Sequence, residues 1–88
     1  MIRSIELIAR DIVADMALQS LQAKKAVKWK EKYPYAAPYV EAMQDLTSIN
    51  DNFYLDSGRE IVQRFLCNAI HWRGENAKLL KAELKAML

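Results

Sequence analysis

The residues with the clearest potential for binding chemistry lie in one lysine-rich and aromatic stretch, residues 24–33. Its candidate contact residues are Lys24, Lys28, Trp29, Lys32 and Tyr33. On a helix, the three lysines at four-residue spacing share one face, and the two aromatic side chains share the neighbouring face. Lysine ammonium groups neutralise phosphates and aromatic rings stack on bases, so the pattern is compatible with a nucleic-acid-binding surface.

A structural role explains the same stretch without a ligand. The lysines then form the solvated end of a helix, and Trp29 anchors that end to the core. The net charge of the chain is only +2, whereas nucleic-acid-binding domains usually have a strong basic excess. The structural role is therefore favoured. A membrane-surface role is weaker still, because the apolar face of residues 24–33 is narrow.

Trp72 and Arg73, followed closely by Glu75, form a second candidate contact surface. Arginine and tryptophan are enriched among the residues that dominate binding energies at protein interfaces. The alternative is an ion pair between Arg73 and Glu75 that braces a turn between two helices. The pattern therefore predicts an exposed corner that is either a docking point or a brace.

Catalytic and metal-binding patterns are weak in this sequence. Cys67 and His71 have the spacing of a helical metal-binding or thiolate–base pair, but the chain has no other cysteine or histidine. We favour a buried structural thiol, because free cysteine is among the most buried residue types. Asp11 and Asp15 lie one helical turn apart, yet a bound divalent cation needs further oxygen ligands. We expect no catalytic residue, no metal site, no cofactor and no enzymatic activity.

The amino-terminal half predicts one long helix followed by a shorter one. Apolar residues at three- and four-residue spacing mark the buried face of the first helix, and further ones widen it. The first set is Ile5, Ile8, Ile12 and Met16, and the second is Leu7, Ala14, Leu18 and Leu21. Nothing interrupts this pattern from Ser4, a suitable amino-terminal cap, to Pro34, which predicts a helix of about 28 residues. Pro38 is suited to open a second helix that ends near Ile49.

The carboxyl-terminal half predicts two more helices. Asn50, Asp51 and Asn52 indicate a turn, and residues 53–55 are expected to form an extended or single-turn segment against the bundle. Ser57 and Glu60 match a capping box, which predicts a helix start. That helix carries an apolar face as far as Trp72, and Gly74 either ends it or interrupts it. The final helix places Ala77, Leu80, Leu84 and Leu88 on one side.

Composition supports an all-α fold, a small bundle of three or four helices with a long amino-terminal helix. The 88 residues suffice for one domain, spanning residues 1–88, and a hydrophobic fraction of 52% is high enough for a packed core. A helix of about 28 residues would be about 42 Å long. The rest of the chain cannot cover all its apolar sides, so we expect a homodimer.

Charge alternates along the chain in blocks. Residues 24–35 carry five lysines and one glutamate, a net charge of +4, and residues 36–57 carry four acidic residues, a net charge of −4. Such blocks predict pairing within the chain or with another subunit. The single cysteine favours a reducing compartment, the cytoplasm. Met1 to Glu6 are not expected to form a signal peptide, and no apolar stretch is long enough to cross a membrane.

One block near the carboxyl end resembles the carboxyl-terminal block of small uncharacterised proteins from bacteriophages and mobile elements. The resemblance is carried by residues 65–69, 72–75, Ala77 and residues 81–84. It implies a phage or plasmid accessory protein that acts in the bacterial cytoplasm by binding a host protein. The expected function is therefore protein interaction, and the alternative is a small nucleic-acid-binding regulator that uses residues 24–32.

Overall fold

The computed structural model describes residues 3–88 and contains five helices and one β-hairpin. The helices are α1 (Ile5–Gln22), α2 (Trp29–Lys32), α3 (Ala37–Met43), α4 (Gly58–Asn68) and α5 (Glu75–Met87), and the strands are β1 (Asn52–Phe53) and β2 (Asp56–Ser57). Met1 and Ile2 lie outside this range, so the expectation about a signal peptide falls partly outside the described residues. The mostly helical character is as predicted, whereas the number of helices and the hairpin are not.

The buried face of α1 is the predicted one. Ile5, Ile8, Ile12 and Met16 are completely buried, and α1 packs against α2, α3 and α5. The widening of that face is wrong, because Leu7, Leu18 and Leu21 are exposed. A single helix at the centre of a small fold buries one stripe, and the neighbouring stripe stays in solvent because no other element covers it.

The prediction of a long first helix is wrong. The backbone of Ala23 is extended, and residues 23–28 form an irregular segment before the single turn of α2. The break has a tertiary cause, because Tyr33 is buried and its hydroxyl donates to Gln19 Oε1 on α1 at 3.1 Å. In one continuous helix these two residues would be about 21 Å apart along the axis. The chain therefore leaves the helix to fold Tyr33 and Trp29 back against α1.

Pro38 lies in the first turn of α3, as predicted, but α3 ends at Met43 and not near Ile49. The following chain is held by Ile5 N–H, which donates to Thr47 O at 3.0 Å, and by Asp51, whose carboxylate accepts from the amides of Thr47 and Ser48. This places residues 47–51 at the amino end of α1.

Residues 52–57 form a hairpin in which Asn52 pairs with Ser57 and Phe53 with Asp56. Phe53 is half-buried against the core, but Tyr54 and Leu55, the two residues of the turn, are exposed. The prediction of a segment tucked against the bundle is therefore wrong for these two. Tyr54 has φ +57°, the one positive φ among the non-glycine residues that the structure describes.

α4 begins at the predicted cap, where Glu60 N–H donates to Ser57 Oγ at 3.2 Å. The Glu60 carboxylate lies 3.9 Å from Arg64 and so supports the helix through a neighbouring side chain. α4 ends at Asn68, earlier than predicted, and Trp72 therefore lies in the connection to α5. Gly74 directly precedes α5 with φ +120°, so it separates the two helices.

One cluster of buried side chains joins α1, α3, α4, α5 and the connections between them, and Trp29 of α2 packs against it. Its largest fully buried members are Trp72, Phe65, Ile5, Ile8, Ile12, Met16, Met43, Leu46 and Leu84. Leu88, predicted on the buried face of α5, is exposed, whereas Ala77, Leu80 and Leu84 are buried as predicted. The polar and charged surface around this core carries the candidate sites.

Candidate functional site

An open groove of about 730 Å³ lies between the carboxyl-terminal half of α1 and residues 26–31. Apolar side chains make up most of its lining: Ala17, Leu21, Ala26, Val27 and Trp29. Leu21 is 70% exposed, although it is a leucine on a well-formed helix. The groove exists because the chain breaks at residues 23–28 and returns along α1 without covering Leu21.

Lysines surround this apolar surface. Lys28 and Lys30 contribute to the lining together with Glu31, and Lys24 and Lys25 are exposed in the adjoining irregular segment. The Lys30 ammonium group lies 5.8 Å from the centre of the Trp29 ring and 3.1 Å from the Glu41 carboxylate. We call this site the basic groove and define it by Leu21, Val27, Lys28, Trp29 and Lys30.

The structure corrects the predicted arrangement of the lysines. Lys24 and Lys28 lie in the irregular segment and only Lys32 lies in α2, so the three do not form one helical face. Trp29 is half-buried and packs against the core, as the structural interpretation predicts. Lys28 and Trp29 line the groove together, whereas Lys24 and Lys32 are exposed and do not contribute to its lining.

Tyr33 lies inside the protein. Burial raises the pKa of its phenol, and the negative charge of Asp15 raises it further. Its hydroxyl donates to Gln19, whose amide nitrogen in turn donates to Asp15 Oδ2 at 2.7 Å and to Arg73 O at 2.8 Å. Tyr33 is thus part of an internal polar network and is not available as a contact residue.

The predicted exposed corner at Trp72 and Arg73 is wrong for Trp72, which is completely buried. Its ring meets Phe65 edge-on with 6.0 Å between centroids, and its indole N–H donates to Asp15 Oδ2 at 2.7 Å. A tryptophan is buried in this way when its one polar atom finds a partner. Arg73 is exposed, and its side chain donates to Ile70 O at 3.4 Å, so the side chain folds back on its own turn.

Lys81, on α5, binds the backbone of the connection that contains Trp72. Its ammonium group donates to Ala69 O and to Trp72 O, both at 2.7 Å, and lies 5.6 Å from the Trp72 ring centre. Burial lowers the pKa of Lys81, and the positive charges of Lys85 and Arg73 lower it further. The two carbonyls explain why a half-buried cation is retained here.

The Cys67 and His71 pair is not supported. Cys67 is exposed in α4, and His71 is exposed beyond the end of that helix, so their four-residue spacing gives no shared helical face. The buried thiol that we favoured is also wrong. Asp11 pairs with Arg3, and Asp15 accepts from Trp72, Gln19 and Asn76. Within residues 3–88, no group of three or more His, Cys, Asp or Glu side chains is arranged to hold a metal ion.

A second groove of about 430 Å³ lies between α1 and α5. The exposed side chains of Leu18 and Leu79 line it, together with several charged residues. Among these, the Arg3 guanidinium donates two hydrogen bonds to the Glu83 carboxylate, at 2.9 and 2.6 Å, and one to Asp11. Arg3 neutralises part of the negative charge, and Asp15, which also lines the groove, already accepts hydrogen bonds from three side chains. The polar groups of this groove are therefore engaged within the chain.

The hairpin tip, defined as Tyr54 and Leu55, is an exposed apolar surface that the sequence did not reveal. Tyr54 is 88% exposed and Leu55 is fully exposed. The signal in the sequence was the apolar run after the Asn-Asp-Asn turn, but a run of three residues does not distinguish a buried segment from a protruding one.

No helix in residues 3–88 is both long enough and apolar enough to cross a membrane. No protein-family model, no curated protein and no solved structure matches this chain.

Proposed function

We propose that this protein is a small interaction protein that binds an acidic segment of another protein in the basic groove. The observation that carries the proposal is the juxtaposition of an apolar surface with several exposed lysines. Leu21 and Trp29 offer an apolar anchor site, and residues 24–32 have a net charge of +4. An amphipathic segment with apolar anchors and flanking aspartates or glutamates complements both features.

The exposure of Leu21 supports a binding role. Burying such a side chain against a partner stabilises a complex by about 1.5–3 kcal/mol. The lysines add attraction at longer range and so raise the rate of association. Affinity through this groove is therefore expected to depend on salt, but less steeply than the affinity of a surface that neutralises many phosphates.

Nucleic-acid binding stays the alternative. The lysine cluster supports it, because Lys24, Lys25 and Lys28 are exposed in the irregular segment between α1 and α2. The half-buried state of Trp29 favours a protein ligand, since one part of the ring already packs on the core and cannot stack on a base.

A selection from random displayed peptides tests the proposal. The wild-type protein is immobilised, and peptides that also bind the Leu21→Ser/Lys28→Glu variant are removed. Because Leu21 and Lys28 are both exposed, this variant should keep the fold while changing the groove. We expect the selected peptides to combine leucine or aromatic residues with acidic ones. Ile70→Ser, which changes an equally exposed apolar residue outside the groove, is the matched control and should bind the peptides as the wild type does.

Binding of short single-stranded and duplex DNA and RNA at low salt is measured with the same variants. Tight nucleic-acid binding that Lys28→Glu weakens, together with no enrichment of acidic peptides, would overturn the proposal in favour of the alternative. Enrichment of peptides without acidic residues would also overturn it, because the lysines would then have no role.

The proposed setting is a reducing compartment, the cytoplasm of a bacterial cell, and the proposed partner is a host protein. The exposed thiol of Cys67 supports the first part, since a free thiol on the surface persists best where it is kept reduced. The resemblance to phage-encoded proteins is the basis of the second part.

A further inference from the structure

We propose that the hairpin tip of a second copy of this chain occupies the basic groove, and that two reciprocal contacts of this kind form a homodimer. The inference rests on the proposed function, because it names a competitor for the same groove. It also identifies the surfaces of the expected homodimer, which the sequence left open.

The hairpin tip has the properties of a docking element and not of a structural one. Tyr54 adopts φ +57° in a two-residue turn, a position where glycine or asparagine is preferred. Its ring meets Phe53 edge-on with 4.8 Å between centroids, yet the side chain is 88% exposed, so most of its surface remains free for a contact with another copy. Backbone strain of this kind is concentrated at functional sites. Tyrosine at an exposed tip provides a large contact area with few rotatable bonds.

The charges around the two surfaces are complementary. Residues 45–57 contain three aspartates and no lysine or arginine, whereas residues 24–32 have a net charge of +4. Among the ion pairs of residues 3–88, only Lys30–Glu41 joins the basic block 24–35 to the acidic block 36–57. Asp56 pairs with Arg64 and Asp51 accepts from two backbone amides, so the charges of these two blocks that have no ion pair or hydrogen bond among the described residues are Glu31, Asp45 and four lysines, Lys24, Lys25, Lys28 and Lys32. The unpaired charge is thus mainly the positive charge of the basic block.

The tip cannot reach the groove of its own chain. The bond from Ile5 N–H to Thr47 O fixes the base of the hairpin region at the amino end of α1, and Gly58 N–H donates to Asp51 O to close that base. Ala17 and Leu21, which line the groove, lie about 18–24 Å further along the α1 axis. Strands of two residues do not span this distance, so an occupant with this chemistry comes from another copy.

The arrangement of the two surfaces favours closure into a dimer. Because the tip and the groove lie at opposite ends of α1, two copies with antiparallel α1 axes can each place a tip near the partner's groove. A twofold assembly of this kind is complete and leaves no surface for further growth. It also fills both grooves, so self-association competes with binding of an outside segment.

A complementation experiment tests this geometry by sedimentation velocity up to high micromolar concentration. The tip variant is Tyr54→Gly/Leu55→Ser, which removes the exposed side chains and relieves the positive φ. The groove variant is Leu21→Ser/Lys28→Glu. Each variant alone should dimerise about tenfold more weakly than the wild type, or worse, as expected for loss of hot-spot contacts. An equimolar mixture should recover part of the dimer, because each mixed dimer has one intact tip and one intact groove. Ile70→Ser should dimerise as the wild type does.

Three outcomes would overturn the inference: a monomeric wild type at high micromolar concentration, a tip variant that dimerises normally, or variants that show no recovery on mixing. The failure of the proposed function is distinguishable. The tip variant retains the groove, so it should still bind the acidic peptides selected above, and the groove variant should not. Where half of the wild-type grooves are filled by self-association, the tip variant should bind these peptides about twofold more tightly than the wild type.

Discussion

The indole N–H of Trp72 donates to the carboxylate of Asp15 across 2.7 Å, and this bond joins α1 to the connection between α4 and α5. The same carboxylate accepts from Gln19 and from Asn76, the second residue of α5. A completely buried tryptophan, a helix and a turn thus share one acceptor. The Asp15 carboxylate therefore fixes the position of the connection between α4 and α5 relative to α1.

Replacing Asp15 should destabilise the protein much more than replacing Asp11. Asp15→Ala leaves the buried indole N–H without its acceptor, which typically costs about 1–3 kcal/mol. Asp11→Ala removes only an exposed ion pair with Arg3, for which about 0–1 kcal/mol is expected. Both changes introduce alanine into α1, so helix propensity cancels. Chemical denaturation measures the difference, and equal losses would contradict the assigned role of Asp15.

Substitution of Gly74 should be destabilising for conformational reasons alone. Its backbone, at φ 120° and ψ 176°, lies in a region that is almost restricted to glycine. The nearest atom to an added Cβ is Gln19 Nε2 at 3.6 Å, an ordinary contact. Gly74→Ala should therefore lower the free energy of unfolding by about 1–3 kcal/mol.

Chemical synthesis with D-alanine at position 74 provides the control for this prediction. D-alanine adopts the observed φ without strain, although its methyl group replaces the other Cα hydrogen, so the synthetic protein should be more stable than the L-alanine variant. Equal losses for the two variants would contradict the assignment of the cost to backbone conformation.

Tyr33 should make the protein less stable at alkaline pH. Burial raises the pKa of its phenol above the ordinary value of 10.0, so the unfolded chain loses this proton first. The free energy of unfolding should accordingly fall as the pH rises above about 10. Lys81 has a lowered pKa and contributes with the opposite sign as the pH rises towards 10.5.

Denaturant titrations of the wild type and Tyr33→Phe across this pH range test the effect, because Lys81 is present in both proteins. The decline with pH should be smaller in the variant, although the variant also loses the bond to Gln19 at every pH. Parallel pH profiles would contradict a raised pKa for Tyr33.

Cys67 should react in the native state. Its side chain is exposed on α4, so a thiol reagent should modify it without prior unfolding. The modification rate of the folded protein should be within about tenfold of the rate in denaturant at the same pH, because access does not require opening of the structure. A strongly protected thiol would contradict the exposure described above.

The helical content and the main buried faces were predictable because they follow local rules. The spacing of Ile5, Ile8, Ile12 and Met16 marks one helical stripe, and Ser57 and Glu60 mark a helix start. The end of α1 was not predictable in this way. Residues 23–28 contain no glycine or proline, and the chain breaks there because Tyr33 is buried and Trp29 is half-buried where the chain returns along α1.

The candidate site was predictable in composition but not in shape. A continuous helix is predicted for residues 24–33, whereas the structure has a bent segment there, in which Lys28 and Trp29 line the groove and Tyr33 is buried. Trp72 illustrates the opposite error. Its position beside Arg73 and close to Glu75 predicts an exposed corner, whereas its partner, Asp15, is 57 residues away in the sequence. Such long-range pairs leave no local pattern.

The ion pair between Arg3 and Glu83 joins residues that are 80 positions apart. α1 is therefore synthesised long before α5, one of the helices that cover it. At about 5–20 residues per second, α5 follows roughly 4–14 s later. Until α5 has been synthesised, the isoleucine face of α1 is only partly buried, and a chaperone or the ribosome surface has time to bind it. The isoleucine face of α1 is thus fully covered only after α5 has been synthesised and has packed against it.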